Sequence, residues 1–167
     1  RARLGTSLFH LVDEGTDTGD IIMMREFIYP ASCKKPADYH SLSVSNGTEL
    51  FTEFLDKLKE KSSFLRQSQS HHLSTYNPRL STDQNSWIDW SWTADEIESF
   101  ICAFDDPYQG AKTLLNGKEV RLKDVCFERS HMISHPYQSG LITRKSPEWL
   151  VVSAKNGDLI IGSIVDK

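Results

Sequence analysis

The sequence is short of several features that would announce a function. Its 167 residues hold three cysteines, Cys33, Cys102 and Cys126, at wide and irregular spacing. An odd number so placed argues against a disulfide framework and for a reducing, cytoplasmic setting. No Cys-x-x-Cys clip is present, the adjoining His71 and His72 would point apart on a regular element, and no metal site is expected. No apolar run approaches the roughly 20 residues that span a bilayer, so no membrane partner is expected. The longest such run, "LIIGSIV" near the C-terminus, has the length of a strand. There is no initiator methionine and no basic-then-apolar leader, and the chain opens almost directly in a strand, which suggests that the head of a longer protein is absent.

A basic surplus is also missing. Lys and Arg total 19 against 23 Asp and Glu, a formal net charge of −4. Residues 1–70 carry nine basic and ten acidic side chains, and residues 71–167 carry ten and thirteen. A surface that neutralises a run of phosphates has a cationic excess or stripe, and neither half supplies one by count.

What is present reads as ordinary globular sequence, with 38% hydrophobic and 25% charged residues. "TSLFHLV" (6–12) and "DIIMMREFIY" (20–29) read as strands, the second apolar on both faces at its start, as in a central strand emerging at a sheet edge. Pro36-Ala37-Asp38 signals a helix start, and from Leu50 the residues Phe51, Phe54, Leu55 and Leu58 make one apolar face. Ser45-Asn46-Gly47 reads as a kink or a break in that helix. Residues 62–86, rich in Ser, Gln, Asn and His, read as a linker lying on the surface and anchored by Phe64, Leu65, Tyr76 and Leu80. "TADEIESFICAF" (93–104) is the clearest helix: Thr93 and Glu96 fit a capping box, and Ile97, Phe100, Ile101 and Phe104 form the stripe. Beyond it the chain reads as all β. Asn116-Gly117 and the Lys155–Asp158 stretch mark two hairpins, and short strands at this spacing suggest a small closed or partly open barrel.

The stretch with the most chemistry is "DEGTDTGD", residues 13–20, in which Asp13, Glu14, Asp17 and Asp20 crowd a turn between two apolar strands. Gly15 and Gly19 permit positive φ and let a ligand approach closely. A carboxylate held at such a strand end can orient and charge-stabilise an imidazole, or steer a proton. The plainer reading is a polar hairpin loop whose Asp side chains cap their own backbone. On the pattern alone both readings stay open. Trp87, Trp90 and Trp92 read as indoles on one strand face, either packing the linker down or stacking a base or sugar ring. His131, His135, Pro136 and Tyr137 form a polar-aromatic loop cluster before Gly140.

Two segments resemble the folate-dependent formyltransferases, the family of methionyl-tRNA formyltransferase and the sugar N-formyltransferases. "HLVDEGTDTGDII" (10–22) is similar to the stretch that carries the family's catalytic Asp ahead of an apolar strand. Tyr76, Pro78 and Arg79, then Ile88-Asp89-Trp90, the capped helix ending in Ala103-Phe104, and Pro107, Tyr108, Gly110 and Ala111 resemble the entry to the family's C-terminal domain. The likeness runs from about residue 5 to about residue 125. Cys102 stands where many members carry Arg, Gln109 where many carry a second Pro, and the approach "LGTSLFH" is one residue longer than usual.

The resemblance implies an α/β remnant, the end of a Rossmann-like catalytic domain, over residues 1–61. It implies a linker over 62–86 and a small, mostly β, OB-like barrel over 87–167. It implies that Asp17 is the catalytic carboxylate, with His10, Gly15, Thr16 and Gly19 supporting the loop or the substrate, and that the partnering Asn and His lie upstream of residue 1. The implied reaction is formyl transfer from 10-formyltetrahydrofolate, bound mostly by upstream residues, to a primary amine. Residues 1–167 alone would then be inactive. The acidic balance favours a small-molecule acceptor, a nucleotide-linked amino sugar, with methionyl-tRNA as the alternative. A formyltetrahydrofolate hydrolase and a non-catalytic binding module are the remaining readings, and a homodimer stays open. The truncated sheet is expected to expose apolar surface at residues 21–24.

Overall fold

The computed structural model describes residues 3–70, 72, 74–129 and 135–166. The chain divides into two compact units, one of Arg1–Cys33 and Asp38–Pro78, the other of Lys34–Ala37 and Arg79–Lys167.

In the first unit, β1 (Leu4–His10) and β2 (Ile21–Ile28) pair antiparallel, from Leu4 opposite Ile28 to Phe9 opposite Met23. The register slips by one residue between Phe9 and His10, so that His10 faces Ile21 at the mouth of the turn. Alternation gives the hairpin two faces. The face with Phe9 packs on a helix, α1 (Pro36–Lys59), through Phe54 at 5.3 Å and Phe51 at 6.1 Å between ring centroids, and Phe64 adds to Phe54 at 5.4 Å. Leu50 is the buried residue of α1, 2% exposed. Arg25 crosses to the same helix and binds the carboxylates of Glu49 and Glu53.

The other face carries the cross-strand pairs Leu4–Ile28 and Leu8–Met24, all four exposed. The apolar exposure expected at residues 21–24 therefore falls elsewhere. Met23 is buried, Ile21 and Ile22 are half-buried, and only Met24 of that stretch is exposed. The side that a residue takes in the pleat, not its position along the strand, decides exposure.

α1 runs 24 residues without the expected break. Asn46 donates its side-chain amide to the Leu42 carbonyl, Thr48 its hydroxyl to Val44, and Thr52 to Thr48. Polar side chains that would otherwise pull the backbone out of the helix are turned back onto the preceding turn. Of the four expected linker anchors, Phe64 packs, whereas Leu65, Tyr76 and Leu80 are exposed.

In the second unit, a short helix, α2 (Thr82–Asn85), leads to an extended run at residues 86–88 that bridges in parallel to Lys112: the Lys112 N–H donates to the Ser86 carbonyl and the Ile88 N–H to that of Lys112. Next come α3 (Ala94–Ala103), β3 (Ala111–Leu115), β4 (Lys118–Glu128), a 3-10 turn at Pro136–Gln138, β5 (Ile142–Lys145), β6 (Leu150–Ala154) and β7 (Gly157–Asp166). The five strands form one antiparallel sheet in the order β3-β4-β7-β6-β5. Both predicted hairpins are present, and Asn116 and Gly117, each at positive φ, turn β3 into β4.

α3 covers this sheet. The Thr93 N–H and hydroxyl both donate to the Glu96 carboxylate, at 2.9 and 2.7 Å, which fixes the first turn. Ile97 and Ile101 are fully buried against Val120, Leu122, Val152, Leu159 and Ile161.

The barrel does not close, because β3 and β5 are left as the two ends of the sheet. Trp90 lies in the open seam, where its indole N–H donates to the Thr113 hydroxyl at 2.9 Å. Gly140, at φ +86°, lets the backbone pass 3.2 Å from the ring by the measure of an added Cβ. The three tryptophans do not share a strand face. Trp90 and Trp92 pack on the core of this unit, while Trp87 is exposed beneath the Lys112 ammonium.

Candidate active site

The ten residues between β1 and β2 are tied at several points. The Leu11 N–H donates to the Asp20 carbonyl at 2.9 Å and closes the mouth. The Asp13 carboxylate organises the near side, accepting the Thr18 hydroxyl at 2.6 Å and the Gly15 N–H at 3.0 Å. Those two bonds, the Thr18 hydroxyl first, hold its carboxyl below the ordinary carboxylate range. Asp13 thus takes the loop-capping role that the plainer reading gave to the whole cluster.

Gly15 and Gly19 are needed for close approach, not for positive φ as expected. An added Cβ on Gly19 would sit 1.8 Å from the Leu11 carbonyl oxygen, and one on Gly15 would sit 2.1 Å from the Thr18 hydroxyl oxygen. The space beside each glycine is filled by the protein itself. The residue in the left-handed region is Asp17, at φ +56°. Asp tolerates that region better than most side chains, because its short polar group can satisfy itself locally.

Asp17 projects into solvent, its side chain 84% exposed. One oxygen, Oδ1, lies 3.5 Å from Nε2 of His10. His10 is oriented by its other ring nitrogen, whose N–H donates to the Leu11 carbonyl at 2.9 Å, so Nε2 is the atom presented to Asp17. The hairpin thus brings His10 and Asp17 together across the seven positions that separate them, through the register slip that swings His10 to the mouth of the turn. Thr16 is exposed and forms none of these ties.

Sequence reasoning missed a further member. Gln69, in the stretch read as linker, donates its side-chain amide to the carbonyl of Asp17 at 2.9 Å and to that of Gly19 at 2.7 Å. Its place is set two residues earlier by a reciprocal backbone bridge, in which Gln67 and Ile21 exchange N–H···O bonds of 2.9 Å.

Other candidate positions separate. His135 caps the 3-10 turn, its ring nitrogen accepting the Tyr137 N–H, and the two rings stack at 5.1 Å. His131 and His135 stand four apart, a spacing found in metal clips, but residues 130–134, His131 among them, lie outside the described residues, as does His71. Among the described residues no group of three or more His, Cys, Asp or Glu could hold a metal ion, and no helix is long and apolar enough to cross a membrane. Two grooves of the first unit lie along α1. One, of about 470 Å³, is lined by Ser7, Leu8, Phe9, Val44, Leu50 and Phe51 and not by Asp17.

The second unit is thus an open five-stranded antiparallel sheet covered by one capped helix. Residues 81–167 match the family model described as formyl transferase, C-terminal domain, and the chain belongs to that family. It is 31% identical over 155 residues to a methionyl-tRNA formyltransferase of Desulfotalea psychrophila, covering 92% of this chain and 45% of that protein. The chain spans about half the length of the curated relatives it matches. In fold it is similar to HypX from Aquifex aeolicus, with a TM-score of 0.74 at 21% identity over 99% of this chain and 29% of the other. It is likewise similar to an N-formyltransferase from Helicobacter canadensis solved with folinic acid and dTDP-3-aminofucose, with a TM-score of 0.67 at 20% identity over 96% and 56%.

Proposed function

We propose that the protein containing this chain moves a formyl group from 10-formyltetrahydrofolate to a primary amine, with Asp17 as a catalytic carboxylate. The observation that supports this most is a likeness to methionyl-tRNA formyltransferases that covers 96% of the chain, and so takes in the Asp17 turn as well as the C-terminal domain. In this reaction the amine must lose a proton and the tetrahedral oxyanion needs hydrogen-bond donors. An exposed carboxylate on a braced turn suits the first need. It orients an imidazole and stabilises the imidazolium that forms when the amine's proton is taken.

The acceptor we favour is methionyl-tRNA, since the relatives by sequence carry that name. A nucleotide-linked amino sugar is the second reading, and a specific observation favours it. Five cations of the second unit are engaged by carboxylates: Lys34 with Glu98, Lys35 with Asp105, Lys112 with Glu119, Arg121 with Asp83 and Lys123 with Asp106. Each such pairing lowers the positive charge that those side chains can offer a polyanion.

Formyl transfer by the complete protein to each acceptor, compared at about 50 and about 200 mM salt, separates the two. Transfer to methionyl-tRNA that weakens steeply with salt supports the first reading. Salt-tolerant transfer to the amino sugar alone supports the second. Transfer to neither contradicts the proposed reaction.

A further inference from the structure

We infer that Gln69 is a positioning residue for Asp17, resting on the reading of Asp17 as the reaction's carboxylate. The geometry is specific. A primary amide has two N–H donors, and the Gln69 amide nitrogen meets two carbonyls, those of Asp17 and Gly19, at 2.9 and 2.7 Å. These carbonyls belong to the 17–18 and 19–20 peptides, so one side chain ties two peptide planes that lie on either side of the Thr18–Gly19 peptide.

The direction of the Asp17 carbonyl is set by ψ of Asp17, and φ of that residue is already in the left-handed region at +56°. Fixing both dihedrals fixes the direction in which the Asp17 side chain leaves the backbone. Asp13 braces the opposite side of the turn through Gly15 and Thr18. Without Gln69 the two carbonyls would turn to water, and the peptide after Asp17 would be free to rotate.

Two features mark this as positioning and not simple packing. Gln69 is only half-buried and leaves the Asp17 carboxylate itself untouched and 84% exposed. It is also neutral, so it adds no charge beside the Asp17 carboxylate. The Gln67–Ile21 bridge delivers it. In extended chain, residues two apart point the same way, so the register at Gln67 determines where the Gln69 amide arrives. The segment after α1 is therefore part of the active-site scaffold and not merely a connection.

The test uses the complete enzyme with Gln69→Met, which keeps length but removes both donors, and Gln69→Glu, which also places oxygen against oxygen. Both should lower kcat, by about 10- to 100-fold, for a misplaced catalytic group. The KM for the formyl donor should change little, and thermal stability should stay near that of the wild type. Gln69→Glu should move the acid limb of the kcat–pH profile upward, because a second carboxylate near Asp17 favours its protonated form. Gln69→Met should leave that limb in place. Independently of activity, amide exchange across residues 11–20 should quicken in both variants. Wild-type kcat in Gln69→Met, or unchanged exchange across the turn, would overturn the inference. Absence of transfer by the wild type would instead sink the proposed reaction, while the exchange measurement still decides whether Gln69 holds the turn.

Discussion

Asp105 is wholly buried and still ionised, and the reason is local. Burial alone would raise its pKa, but the N–H groups of Asp124 and Asp106, at 2.9 and 2.7 Å, and the Lys35 ammonium at 3.2 Å outweigh it and hold the carboxyl below its ordinary value. Lys35 in turn is pushed up to about 12, chiefly by its bond to Asp124. A depressed carboxyl pKa contributes stability that is complete above about pH 3.8 and is lost as pH falls through the lower folded value. The raised ammonium contributes below its ordinary value of 10.5 and loses that contribution as pH rises through about 12. Asp105→Asn should therefore cost about 3 kcal/mol at neutral pH in denaturant unfolding, and flatten the acid side of the stability profile. At the turn, Gly19→Ala would set a methyl group 1.8 Å from the Leu11 carbonyl oxygen. It should cost about 2 kcal/mol and speed exchange of the Leu11 amide. Both glycines of the turn were visible in the sequence, but the contacts that require them were not. Those contacts depend on how Leu11 and Thr18 fold back, which no local pattern encodes.

Among the elements, the best-read parts are those whose signals are local. Thr93 and Glu96 are three residues apart and cap α3, and Asn116-Gly117 supplies the two positive-φ positions that a tight hairpin needs. The apolar stripe of α3 placed Ile97 and Ile101 correctly in the core, and Ile97→Ala should cost about 3 kcal/mol by chemical unfolding, given its complete burial. Two local signals misled. Ser45-Asn46-Gly47 suggested a kink or a break, yet α1 runs unbroken, with the Asn46 amide bonded back to the Leu42 carbonyl. The three tryptophans suggested a strand face, yet Trp90 leaves that line to fill the seam between β3 and β5. The Trp90–Thr113 bond, the Gln69 brace and the Lys35–Asp105 pair join residues 23, 52 and 70 positions apart, and such pairings have no signature along the chain.

At the scale of the whole molecule, the chain carries two compact units, and the elements with the most chemical interest sit in the first while the family match sits in the second. The acidic balance of the sequence pointed to a small acceptor, and the relatives by sequence point instead to methionyl-tRNA; net charge is a property of the entire surface, whereas acceptor choice depends on where the free cations lie. On the proposed reading both acceptors would use the Asp17 carboxylate. The most direct measurement is formyl transfer by the complete protein carrying Asp17→Asn, set beside the wild type under identical conditions. The account predicts a fall in kcat/KM of about a thousandfold or more with the fold intact, since a carboxylate and the imidazole it orients act as a unit. Transfer by Asp17→Asn at the wild-type rate would contradict it and leave the acidic turn as no more than a loop.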